Sequence, residues 1–147
     1  MSHTYSQNTL HIVFSTKHRQ KLIRKDFQSQ LHGYVAGICK NEGIFVYAIG
    51  GTEDHIHVLV KIPRALPVAK AVNVIKSNSS RWANEEGHSF AWQDGYAAFS
   101  VSASNVAAVV RYIENQEAHH RKIGFEAEFV ALLRKHGVEF DPKFVFG

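Results

Sequence analysis

Little in this sequence of 147 residues could staple or anchor it. There is one cysteine, Cys39, so neither an intrachain disulfide nor a cysteine-based zinc cluster can form. That absence fits a reducing, cytoplasmic setting. No apolar run approaches the ~20 residues that a bilayer span needs, and the polar start, Met1 to Asn8, lacks the apolar stretch of a signal peptide. No membrane role is expected. Internal repeats, low-complexity tracts and Pro/Gly/Ser linkers are also missing. What remains is ordinary globular usage, 45% hydrophobic and 20% charged, which excludes bulk disorder and predicts one domain over residues 1–147. Lys and Arg number 17 against 13 Asp and Glu, a net +4 that leans mildly toward a polyanionic partner. Histidine is present in a high number for its type, ten copies.

Periodicity predicts an ordered alternation of elements. Leu10–Thr16 is β-branched and aromatic and predicts a strand. From Asp26 to Asn41 the apolar residues Phe27, Leu31, Val35 and Ile38 fall at helical spacing, with Gly43 as a stop. Ile44–Ile49 and His55–Ile62 predict two strands joined through Gly50-Gly51. Pro67 opens a second helix that runs to about Glu86. Tyr96–Ser102 predicts a fourth strand, followed after about two residues by a helix from Ser104 or Asn105 to about Lys122, and a last helix covers Glu126–His136. The order β-α-β-β-α-β with trailing helices predicts an α+β, ferredoxin-like antiparallel sheet whose first and third strands are central. Its second face is left for the trailing helices, a ligand or a partner.

Two motifs carry chemistry. In Asp54-His55-Ile56-His57 the strand alternation puts both imidazoles on one face, where they can share a divalent metal or simply hydrogen-bond on a half-buried sheet. In Tyr112-Ile-Glu-Asn-Gln116 the helical turn places Tyr112, Gln116 and His119 on one flank of a buried stripe formed by Val106, Val109, Val110 and Ile113. Tyr112 is there either an edge tyrosine or a nucleophile, and the Gln116 amide oxygen offers a third ligand beside two histidines. Together these groups suit phosphodiester cleavage, with Lewis-acid help at the phosphate and attack by a phenol. The sequence offers no evident general base for Tyr112.

Those residues, with the Leu10–Thr16 strand, Lys76, Ser79-Ser80-Arg81-Trp82, Trp92-Gln93 to Ser102, and His119-His120, resemble the single-tyrosine transposases with a His-hydrophobic-His (HUH) motif. These belong to the bacterial insertion-sequence 200/605 group (TnpA), relatives of the REP-associated tyrosine transposases. The resemblance covers nearly the whole chain. It implies a ferredoxin-like homodimer that binds single-stranded DNA hairpins at element ends and cleaves and rejoins them in the bacterial cytoplasm, at the nucleoid. It implies that His55, His57 and Gln116 bind Mg²⁺ or Mn²⁺ and that Tyr112 forms a 5′-phosphotyrosine. It also favours active sites shared between subunits, with Tyr112 of one facing the histidines of the other. A mobile element and a domesticated or non-catalytic hairpin binder would look alike in these motifs.

Basic side chains supply candidate phosphate contacts: Lys17, Arg19, Lys21, Arg24, Lys76 and Arg81, with Lys61 on the histidine face and His119 on the tyrosine flank. Such contacts set affinity and salt dependence. His120 falls near the apolar stripe and is expected to pack and hydrogen-bond, and Trp82 is expected in the core. Rival readings fail on particular residues. A histidine-triad hydrolase needs a third histidine where Leu59 stands. Two-histidine phosphoesterases need a second His-x-Ser/Thr strand that is missing. An RRM-type binder needs aromatics on both central strands, and only Phe14 qualifies.

Overall fold

A computed structural model describes residues 3–146; Met1 and Ser2, at the start of the polar leader, and Gly147 lie outside it. Four strands, β1 (Thr9–Ser15), β2 (Phe45–Gly51), β3 (His55–Lys61) and β4 (Ala97–Ser100), form one sheet in the order β2-β3-β1-β4. All three pairings are antiparallel. The fold is the expected α+β arrangement, with β1 and β3 in the centre. Both are buried on both faces, except at Lys61.

Helices α1 (Lys25–Asn41) and α2 (Val68–Glu85) cover one face. The even positions of β1 and β3, including Ile12, Phe14, Ile56 and Val58, meet Phe27, Leu31 and Val35 of α1 and Val72 and Ile75 of α2. Trp82 stacks on Tyr34 and Phe27 at the rim of this core, as expected. Trp92 packs edge-on against Phe14 and donates from its indole to Ser79 Oγ at 3.0 Å.

The other face takes α3 (Val106–Glu114), α4 (Gln116–His119) and α5 (Phe125–Lys135). The expected helix to Lys122 is broken: Asn115 leaves helical geometry at φ −98°, ψ 19°, and the chain resumes as α4 with Gln116 buried. β4 is shorter than expected because Ser102 already leads into a 3-10 turn over Ala103–Asn105. The connection to α3 is therefore residues 101–105 rather than about two, and this turn brings α3 back over its own sheet.

There α3 packs against Ala48, Leu59 and Val101 through Ile113 and the predicted valine stripe. Gly50 makes the approach possible, since a Cβ at that position would lie 2.3 Å from the Ile113 carbonyl oxygen. Leu59, apolar on the histidine face, is covered in this way by its own chain. On the β4 side α5 lays Phe125, Leu132 and Leu133 over Val13, Ala97 and Phe99. No described helix is long and apolar enough to cross a membrane.

Candidate metal centre and tyrosine

Between these two apolar patches the second face of the sheet is polar. His55 and His57 project there from β3 and are fully buried. The register pairs His57 with Val13 and Leu59 with His11, so His11 of β1 lies diagonally beside His57. Its Nε2 sits 2.8 Å from His57 Nδ1. His55 Nδ1 faces Asp54 Oδ1 at 2.7 Å, an arrangement that fixes the ring and aims Nε2 into the site.

The centre of the cluster is Glu128, which α5 presents with only 2% exposure. Its two oxygens face different groups. Oε1 has three imidazole Nε2 atoms around it: His120 at 3.0 Å, His57 at 3.1 Å and His55 at 3.5 Å. Oε2 accepts the Tyr112 hydroxyl and, at 3.0 Å, the Gln116 amide nitrogen. The Tyr112 and His57 ring centroids are 5.8 Å apart. Tyr112, Gln116, His55 and His57, singled out in the sequence, thus meet in one place. They do so within a single chain, where the sharing between subunits expected from the resemblance would put Tyr112 opposite another chain's histidines.

Burial and pairing set the charges. His57 is pushed down to about 4 and His11 to about 3, chiefly by burial. For Glu128 burial acts upward, but the His120 and His57 hydrogen bonds outweigh it and hold the carboxyl far below its usual range. Burial and then the Glu128 carboxylate push the Tyr112 phenol well above its ordinary value. His120 moves up, since its bond to Glu128 overcomes a downward pull from burial.

The donor set fits a divalent cation. A His55 ring that donates from Nδ1 to Asp54 presents a lone pair at Nε2, and that lone pair faces the Gln116 amide oxygen at 2.9 Å. Two acceptors in contact are a poor arrangement that a cation between them resolves. His55, His57, His120 and Glu128 offer ligand atoms all within 4.8 Å of one another. Beside His120 and Asp54 a cleft of about 320 Å³ opens, lined also by Lys21, Lys25 and Arg121.

The remaining basic candidates divide. Lys21 lines that cleft, and Lys17, Lys61 and Arg81 are exposed. Two others are engaged within the chain. Arg19 is engaged by Glu126 at 2.9 Å and by the Phe146 carbonyl at 3.1 Å. Lys76 donates to the carbonyls of Gln93 and Gly95 at 2.6 and 2.8 Å, so it ties α2 to the segment before β4. His119 is drawn inward, with Nε2 3.5 Å from Glu128 Oε2.

Sequence reasoning missed Glu128 and gave His120 and His11 no role in the site. The signal for Glu128 was present: Phe125, Glu128, Phe129, Leu132 and Leu133 share one helical stripe, in which a lone carboxylate is out of place.

Known proteins share this sequence pattern and fold. The family described as Transposase IS200 like matches residues 4–116. The transposase for insertion sequence element IS200 of Salmonella typhimurium is 25% identical over 125 residues, covering 79% of this chain and 81% of that protein. A candidate transposase of Deinococcus radiodurans R1 superposes with a TM-score of 0.65 at 20% identity, over 79% of this chain and 95% of that one. A REP-associated tyrosine transposase, solved bound to a REP hairpin, superposes with a TM-score of 0.63 at 13% identity, over 84% of this chain and 74% of its own.

Proposed function

The chain belongs to the IS200-like transposase family, and from that premise we propose that it cleaves and rejoins single-stranded DNA at hairpin-marked ends, with Tyr112 as nucleophile. The observation that carries this reading is the convergence of Tyr112 and Gln116 with His55 and His57 around Glu128. Hairpin recognition is taken from the REP-associated relative, whose structure holds a REP hairpin.

His55, His57 and the Gln116 amide oxygen are the proposed ligands of a Mg²⁺ or Mn²⁺ ion. Such an ion supplies Lewis-acid polarisation of the scissile phosphate. The Tyr112 oxygen attacks phosphorus in line, a Tyr112–phosphorus bond forms, the bond to the 3′ oxygen breaks, and the freed 3′ end leaves as a hydroxyl. The phenol's proton starts on its hydrogen bond to Glu128 Oε2, and the departing 3′ oxygen gains one proton for the one the phenol loses, so the step is balanced. The phosphodiester's energy is kept in the 5′-phosphotyrosine, so a 3′ hydroxyl can later reseal the strand without ATP.

A labelled single-stranded hairpin incubated with Mg²⁺ or Mn²⁺ should give a denaturant-stable adduct whose label lies 3′ of the cut. Tyr112→Phe should keep hairpin binding and lose the adduct; an adduct that persists in this variant removes Tyr112 from the role. Because the tyrosine lies beside its own histidines, each chain is read as acting with its own Tyr112. Mixing Tyr112→Phe with His55→Ala under proven subunit exchange should then recover no cleavage. Recovery of about a quarter of wild-type sites, the yield of random mixing in a twofold dimer, would instead establish the shared sites implied by the resemblance.

A further inference from the structure

The geometry points to a larger ion-binding shell than the motifs supply: His120 Nε2 and Glu128 Oε1 join His55 and His57 as ligands, while Glu128 Oε2 keeps Tyr112 against the same centre. This rests on the reading of the cluster as an ion site. Three imidazole nitrogens from two distant segments converge on one carboxylate oxygen, at 3.0, 3.1 and 3.5 Å. A carboxylate oxygen with three imidazoles donating to it would account for this only if every ring carried a hydrogen on Nε2. Where the neutral His55 ring donates from Nδ1 to Asp54, it has no hydrogen left at Nε2 for the carboxylate. A cation between the rings and the carboxylate satisfies all four groups together.

Charge supports the same assignment. Glu128 is the carboxylate inside the group, and Asp54 stands directly behind His55, so two negative charges flank a divalent ion. Tyr112 and Gln116 occupy Oε2 and leave Oε1 free to turn to the ion. Glu128 is in this way a ligand through one oxygen and a positioning residue for the nucleophile through the other.

The donor set has a consequence for the choice of ion. With the Gln116 amide oxygen, three imidazoles and one carboxylate make a shell of three nitrogens and two oxygens, which favours Mn²⁺, Co²⁺ or Zn²⁺ over Mg²⁺, an ion that prefers oxygen and retains its waters. The site should therefore load a transition metal without DNA and hold it against Mg²⁺.

The test uses the full chain, stripped with EDTA and free of DNA. In ¹⁵N-labelled wild-type protein titrated with Zn²⁺, the Nε2 resonances of His55, His57 and His120 should shift together. Mn²⁺ bound by the protein, read from loss of the free-ion EPR signal, should survive about a tenfold excess of Mg²⁺. His120→Ala and Glu128→Gln should each weaken Mn²⁺ by about tenfold or more, with circular dichroism confirming the fold. Shifts at His55 and His57 alone, with Mn²⁺ affinity unchanged in both variants, would overturn the larger shell and leave a two-histidine ion site standing. If no histidine shifts and wild type takes up no ion, the ion site itself falls, and this inference with it. The wild-type titration decides the His120 assignment even if a variant fails to fold.

Discussion

The two faces of one sheet are built on opposite rules. Toward α1 and α2, alternate residues of β1 and β3 are Leu10, Ile12, Phe14, Ile56, Val58 and Val60, and the contact is almost wholly apolar. Toward α3–α5 the same strands present His11, Val13, Ser15, His55, His57 and Leu59, and between two small apolar patches lies a cluster whose members are held by directed hydrogen bonds. Non-directional packing can relax around a change, whereas a buried polar group that loses its partner bears the full cost of desolvation. The first face thus holds most of the apolar burial and the second the candidate site, separated by the thickness of a strand.

The sharpest way to break this division is at the site. His55→Ala or His57→Ala should bring cleavage to background, as should EDTA with wild type, while Gln116→Ala causes a smaller loss because water can replace a neutral amide ligand. Urea unfolding of the two histidine variants should show a cost of only about 1–3 kcal/mol, from the hydrogen bonds removed. Full-rate cleavage in EDTA would contradict the division of labour.

On the opposite face the balance should invert. Phe14→Ala, at a side chain 2% exposed, should lower stability by about 3–5 kcal/mol while adduct formation persists below the melting temperature. Next comes the contact that seats Tyr112. Gly50→Ala sets a methyl against the Ile113 carbonyl; it should cost about 1–3 kcal/mol and reduce cleavage by lifting Tyr112 from His57.

Histidines on the two sides also differ in their pH response. His32, on α1, is pushed down to about 4 by burial alone, and its Nε2 has no hydrogen-bond partner. A folded-state value below the unfolded 6.5 means that the unfolded chain binds more protons between these limits. The contribution is therefore present above pH 6.5 and is lost as pH falls toward 4. His32→Gln should flatten that acid loss by about 1–2 kcal/mol without changing cleavage at pH 7, as urea titrations at pH 7 and 4.5 would reveal. The smallest effects belong to the surface. Lys21→Ala, beside the cleft, should weaken hairpin binding and lower its salt slope by about one, whereas Lys76→Ala, tied to two carbonyls, should act on stability instead.

How far the sequence could be read follows from the range of each signal. Strand alternation gave His55 and His57 one face, and helical spacing gave Tyr112 and Gln116 one flank; both are local regularities, and the structure keeps both. The element order was legible for the same reason, with β1 and β3 central. Glu128 was not, because α5 reads as an ordinary amphipathic helix until one knows which face of the sheet it covers. His11 needed the β1–β3 register, a pairing across 46 residues. The bend at Asn115 needed the cluster that draws Gln116 inward. Arg19 and Lys76 show the converse, since a basic side chain in sequence carries no sign of the carbonyls and carboxylates it will meet.

Glu128 lies later in the chain than the side chains that meet its carboxylate: His55, His57, Tyr112, Gln116, His119 and His120 all precede it. On a ribosome, where N-terminal parts emerge and fold first, the histidine pair can be set in its sheet before the tyrosine exists, and the tyrosine helix can dock before its carboxylate has been made. The residues of the candidate site consequently emerge in sequence, Tyr112 after the histidine pair and Glu128 after both. A nascent chain stalled before α5 would carry its imidazoles and its phenol without the carboxylate that bridges them.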